Sequence, residues 1–365
     1  MKKVYLNVLT IGKSGVGKSS LINYLFDTDK CKTGSGEPQT KKLFETISYE
    51  YSEKITLRLT DTKGLEPNDY NNWVYDLRNN IIEKEKLEID GQYHAILYCI
   101  NAGSDRIEPA ELKIISGLYS LFPIGVVLTH CIKGKIKESV EGIKRTLIDY
   151  GIKKEDIFEV CNIKGTLLSG EKLEQFGKEK LIEYINNSFY EKIIKSFPIT
   201  FEKIIDSNIE EYKRIIYLVI DKNINFFNGN SNKNYQKMEE IIKEKVIECQ
   251  ECIDEKLKLK TEDVFQKYQI IYDTFFIIDP NNEVINYSSP KTYNFNLQKE
   301  LPEIVGENVA VALFMLVPVL NAFIPHFVNN MHREDVKNKV DIVFVEVKKN
   351  ELRKTSQIID LLNIH

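Results

Sequence analysis

The sequence predicts an α/β fold, a mostly parallel six-stranded sheet with helices, followed by an all-α region. Three observations carry this. An apolar run over residues 4–11 leads straight into Gly12-Lys13-Ser14-Gly15-Val16-Gly17-Lys18-Ser19, which fits the phosphate-binding pattern G-x-x-x-x-G-K-[ST] at every fixed position. Short apolar runs at 93–100, 124–130 and 157–162 alternate with helical periodicity, as in a buried parallel sheet. After Pro198 the strand pattern stops and Lys/Glu/Ile-rich stretches with helical spacing take over.

At 365 residues the chain is long for one core, and two domains are expected, 1–196 and 197–365. A makeup of 42% hydrophobic and 28% charged residues is that of a soluble globular protein. The net charge of -4 leaves no basic footprint, which argues against nucleic acid as a partner. Six cysteines without a paired spacing framework predict free thiols in a reducing compartment. Met1-Lys2-Lys3 before an apolar run mimics a leader peptide, but the run ends in the phosphate loop with no small-residue cleavage site.

In the loop, Gly12, Gly15 and Gly17 let the backbone curl so that the N–H groups from Lys13 through Val16 to Ser20 converge on phosphates at a helix N-terminus. Lys18 then reaches the outer phosphates and Ser19 places its hydroxyl on Mg²⁺. The helix begun at Lys18 runs to residue 26. Residues 31–42 form a polar loop in which Thr40 is the candidate to fold over the γ-phosphate and the cation, with Thr33 and Thr46 as rivals and an ordinary loop threonine as the alternative. Two strands follow, 43–51 and 55–60. The second runs into Asp61-Thr62-Lys63-Gly64-Leu65, where Asp61 is placed to hold Mg²⁺ and Gly64 to offer its N–H to the γ-phosphate. Leu65 carries no group to orient an attacking water, so hydrolysis is expected near the unaided rate of about 10⁻⁴ per second, or to need a group from elsewhere.

Residues 69–86 have helical periodicity, with Trp73, Leu77, Ile81 and Leu87 on one side, and Trp73 reads as packing. The strand at 93–100 empties into a loop carrying Arg106. This arginine either reaches a phosphate, its own or that of a facing second molecule, or pairs with Glu108 or Glu111. A helix spans 108–121. The strand at 124–130 delivers Thr129-His130-Cys131-Ile132 where guanine-specific proteins carry N-K-x-D. The aspartate is missing; His130 can lie along a base, and Glu159 and Asn162 are candidates to hydrogen-bond it, which leaves guanine against adenine open.

Together these residues resemble the translation-factor-like class of P-loop GTPases, over about the first 165 residues. Gly12 to Ser20 with Leu21-Ile22-Asn23, the Gly36-x-Pro38-x-Thr40 segment and Asp61-Thr62-x-Gly64-Leu65 look like the Era-like and septin/Toc groups. Thr129-His130 looks like the T-H that replaces N-K in Toc-type members. The run from Tyr98 to Glu108 also resembles bacterial GTPases with a hydrophobic helical C-terminal region. The resemblance implies a Ras-like G domain, GTP/GDP and Mg²⁺ as ligands, and nucleotide faces that meet in a homodimer, with Arg106 approaching the partner's phosphates. With Leu65 and the unpaired cysteines, the expectation is a cytoplasmic switch that hydrolyses GTP slowly. An interaction module without turnover and a membrane-associated effector GTPase are the alternatives, the latter adding a membrane surface or a protein effector as partner.

In the second half, a helix at 181–196 closes the α/β unit and Pro198 marks its end. Long helices are expected at 201–227 and 235–272, with their charges on solvated faces. Cys249-Gln250-Glu251-Cys252 lacks a second pair and makes a poor zinc site. Residues 272–302 read as a connector. The apolar segment 304–328 is broken by Pro318, Asn321 and Pro325, which suits two short helices in a core, or at a bilayer surface, better than one span; His326 is given no chemistry. A last amphipathic helix is expected at 333–362.

Overall fold

The computed structural model describes residues 3–31, 43–64, 70–104, 106–132, 136–163, 165–166, 172–223, 232–276 and 333–363. Six strands form one sheet in the order β2-β3-β1-β4-β5-β6. The strands are β1 (Val4–Gly12), β2 (Phe44–Glu50), β3 (Ile55–Thr62), β4 (Ala95–Asn101), β5 (Ile124–Thr129) and β6 (Ile157–Glu159). All neighbours run parallel except β2, which is antiparallel to β3 and forms one edge. Strands β1, β4 and β5 are apolar almost throughout because both of their faces are covered. On β2 the exposed residues are Glu45, Thr46, Ser48 and Glu50.

Register aligns Thr10 with Asp61 and Gly12 with Cys99, so the carboxyl ends of four parallel strands finish at one rim. That rim holds the loop after β1, Asp61, Asn101 and Thr129. The covering helices are α1 (Lys18–Leu25), α2 (Tyr70–Glu85), α3 (Pro109–Tyr119) and α4 (Lys137–Asp149). Trp73, Leu77 and Ile81 of α2 join Leu112, Ile115 and Leu118 of α3 in one buried cluster against the sheet. Trp73 does pack, as expected. Leu87 falls beyond the end of α2 and is 48% exposed, because the helix stops before its side of the helix could bury it. β6 is shorter than expected, and a two-stranded ribbon, β7 (Gly165–Thr166) with β8 (Lys172–Leu173), follows it.

Three long helices complete the described chain: α5 (Lys178–Asn223), α6 (Asn232–Phe276) and α7 (Arg333–Asn363). Pro198 does not end the helix begun at Lys178, contrary to the sequence expectation; it lies inside α5. A proline costs a helix one hydrogen bond and a steric clash, about 3 kcal/mol, and burial of Phe189, Ile193, Phe197, Phe201 and Ile205 along the same helix offsets it. α6 likewise runs to Phe276, into the stretch expected to be a connector.

The chain forms two compact units, one of Met1–Lys192 with Lys267–Asp279, the other of Ile193–Gln266 with Pro280–His365. In the first unit Lys267 Nζ donates to both carboxylate oxygens of Asp90, at 2.9 and 3.0 Å, and Phe275 stacks on Tyr51 with ring centroids 5.0 Å apart. In the second, Lys354 is buried between Asp254, at 2.8 Å, and Glu351, at 3.0 Å. Thr40, Leu65 and the segment 304–328 lie outside the described residues. Among the described residues no helix is long and apolar enough to cross a membrane, and no three His, Cys, Asp or Glu side chains gather as metal ligands; Cys249 and Cys252 are free thiols.

Candidate functional site

The loop between β1 and α1 turns on Gly17, the residue before the first helical turn, at φ 89°. A side chain there would be strained by the backbone and would meet His130 Nε2 at 2.9 Å. With glycine at its N-cap, α1 has no side-chain cap and no acidic residue in its first turn, so its first N–H groups face the loop. Ser19 and Ser20 lie in that turn.

Lys18 is 7% exposed, and its Nζ donates to the carbonyls of Gly12, at 3.2 Å, and Lys13, at 3.0 Å. Burial lowers its pKa, opposed by the nearby Asp61 carboxylate and the Cys99 thiol. Asp61, buried at the end of β3, accepts the Ser19 hydroxyl on Oδ2 at 2.5 Å, while its Oδ1 lies 3.4 Å from the Thr10 hydroxyl. Thr62 locks the same strand end by donating to the Thr10 carbonyl at 3.0 Å.

Gly64 comes so close to the loop that a Cβ on it would lie 2.3 Å from the Ser14 nitrogen. Only glycine brings this main chain onto the loop. The indole of Trp73 donates to the Lys63 carbonyl at 3.0 Å, so a residue read purely as packing also anchors the segment between Asp61 and Gly64. Asn23 of α1 brackets Cys31 with two hydrogen bonds, at 2.8 and 3.0 Å.

On the opposite side, the Thr129 side chain is buried and its hydroxyl lies 2.6 Å from the Val16 carbonyl and 3.1 Å from that of Ile100. Thr129 therefore supports the loop from behind. His130 follows at φ 57°, burial lowers its pKa, and its Nε2 has no hydrogen-bond partner among the described residues. Asn162 Oδ1 is likewise buried and unpartnered among them. The Asn162 loop is held by paired main-chain bonds between Cys161 and Phe176, both 3.1 Å, and by Gln175 donating to the Asn162 carbonyl at 3.0 Å. Glu159, the other candidate, is engaged by Lys144.

Arg106 lies exposed on the loop between β4 and α3. Its expected partners both hold Lys13, whose Nζ sits 2.7 Å from Glu108 and 2.9 Å from Glu111, while the charge of Arg106 still acts on Glu108. Burial pulls the Lys13 pKa down, but hydrogen bonds and charge from the two carboxylates outweigh it and the pKa stands raised; Lys13 in turn lowers that of Glu108. This contact was not foreseen. Lys13 occupies a variable position of the motif, and the one visible signal was the Glu108-x-x-Glu111 spacing of a capping box.

Residues 7–130 match the model of the 50S ribosome-binding GTPase family. Translocase of chloroplast 108 of Physcomitrium patens is 31% identical over 133 residues, 34% of this chain and 13% of that protein. Septin CDC11 of Candida albicans is 27% identical over 177 residues, 41% of this chain and 44% of the septin. The chain thus spans less than half the length of these curated relatives. Among solved structures, Toc33 from Arabidopsis thaliana in complex with Mg²⁺ and GMPPNP aligns over 51% of this chain and 84% of its own, at a TM-score of 0.36 and 16% identity. Loop, sheet order and family match agree over residues 7–130, which have the build of a P-loop GTPase domain and are similar to the G domains of the Toc and septin proteins.

Proposed function

We propose that this protein binds GTP and GDP with Mg²⁺ and hydrolyses GTP slowly, as a switch read out by the segments at Thr40 and Gly64. The observation that carries the reading is the meeting of Ser19 and Asp61, 42 positions apart, at 2.5 Å beside the buried ammonium of Lys18. A hydroxyl and a carboxylate arranged in this way would suit a divalent cation, and the lysine beside them the phosphates of a nucleotide. The residues present fit that ligand. The α1 N-terminus is uncapped, Lys18 rests on main-chain carbonyls, and His130 Nε2 and Asn162 Oδ1 are buried polar atoms without partners among the described residues.

In this reading Ser19 and Asp61 hold Mg²⁺, with Thr40 added from the polar loop. The metal shields phosphate charge. The amides from Lys13 to Ser20 and the Lys18 ammonium bind the phosphates, and Gly64 presents its N–H to the outermost one. His130, neutral through burial, lies along the base, and Asn162 accepts a hydrogen bond from it. Leu65 supplies no water-orienting group, so turnover stays slow until a second copy, docked nucleotide face to nucleotide face, brings Arg106 to the phosphates.

Purified protein should retain guanine nucleotide, identified by chromatography of the released ligand. Lys18→Ala should abolish retention while the circular dichroism spectrum is unchanged. A wild-type protein that takes up neither GTP nor GDP with Mg²⁺ in excess would overturn the reading.

A further inference from the structure

The phosphate loop and the loop that carries Arg106 are fastened together by one side chain. Lys13 leaves the phosphate loop and enters α3's N-terminal turn, where its ammonium lies 2.7 Å from Glu108 Oε1 and 2.9 Å from Glu111 Oε2. Glu111 is 4% exposed, and its Oε2 also accepts the Glu108 N–H at 3.3 Å, which completes the capping box with Pro109 in the first turn. The carbonyl of Lys13 accepts from Lys18 Nζ at 3.0 Å. A continuous chain of polar contacts therefore runs from the phosphate-binding ammonium to a point two residues from Arg106. Behind the loop, Ser139 of α4 donates to the Ala102 carbonyl at 2.8 Å, which fixes its other end.

A buried carboxylate needs a partner, and removing Lys13 from Glu111 would cost far more than breaking a surface pair. The contact is thus stiff enough to set the position of its neighbours. We infer that Lys13, held between Glu108 and Glu111, is a positioning residue that sets the Arg106 loop against the phosphate loop, so that activation of hydrolysis by a second copy of this chain requires the clamp and nucleotide binding does not. The inference rests on the reading of Arg106 as an arginine acting in trans.

The test is GTP turnover as a function of protein concentration, alongside nucleotide affinity measured with a fluorescent GDP. Glu108→Gln with Glu111→Gln removes both charges and keeps the capping box, because a glutamine oxygen still accepts the Glu108 N–H. Affinity should stay within about 3-fold of wild type, while the concentration-dependent part of the rate falls about 10-fold or more, as expected when a transition-state arginine is misplaced by about an ångström. Arg106→Ala added to this pair should cause little further loss, since coupled residues are non-additive. Lys13→Arg, made alone with both carboxylates intact, should keep the concentration dependence, because a cation still stands between them.

A concentration-dependent wild-type rate that the double glutamine variant keeps, or an affinity that falls in step with the rate, overturns the inference and leaves the Arg106 reading standing. A wild-type rate independent of concentration removes that reading, and the clamp's role with it. Loss of the variant's folded baseline is excluded by its circular dichroism spectrum and by the affinity measurement itself.

Discussion

Glu351 shows what single residues in the helical unit contribute. It is buried, shares Lys354 with Asp254, and leaves Oε2 without a partner among the described residues. Burial, then the charge of Asp254, pushes its pKa up to about 7. The folded chain therefore binds a proton that the unfolded chain releases near the ordinary glutamate value, so the contribution to stability is full at low pH. It is lost as pH rises through about 7. Glu351→Gln keeps an oxygen for Lys354 and removes the ionisation. Urea unfolding should find the variant more stable than wild type by about 1–3 kcal/mol at pH 8 and nearly equal to it at pH 5.

At the same scale, the sequence showed Lys18, Ser19, Asp61 and Gly64 clearly, because a fixed motif with a strand before it and a helix after it leaves little freedom of placement. It could not show that Thr129 props the Val16 carbonyl or that Lys144 takes Glu159. Both depend on which strand ends meet across the sheet.

Among the elements, α5 departs most from its sequence signal. Proline ordinarily ends a helix, and among the described residues Pro198 has strands before it and none after, so reading a boundary there was reasonable. The apolar positions on either side keep the helical period through it, and tertiary burial decides. Since Pro198 is exposed, alanine fits without repacking and restores the missing N–H. Pro198→Ala should raise the unfolding free energy by about 1–3 kcal/mol, measured as a shift of the urea midpoint. Strands β1, β4 and β5 were legible because continuous apolar runs bounded by turn residues have few other uses. β6 was legible in its position, starting at Ile157 as its apolar run indicates, but not in its length of three residues.

For the whole molecule, nucleotide binding and stability are linked. Anything that binds the folded chain alone raises its stability by about 2.7 kcal/mol at 100 times its dissociation constant. Mg²⁺ with GTP at that excess should therefore raise the melting temperature of the unit that holds the phosphate loop by about 5–10 °C. The Lys18→Ala protein should show no such rise in the same calorimetric scan. Two compact units make two transitions the natural form of that scan, with the ligand acting on the first.

The edge strand β2 carries one more consequence. A sheet margin of this kind offers main-chain donors and acceptors on which a stray extended segment can template itself, the route to uncontrolled aggregation. Here Glu50 is paired with Lys3 but the Glu45 carboxylate is exposed, so a like copy adding in parallel and in register would set acid against acid. The rim is thereby biased against growth by strand addition.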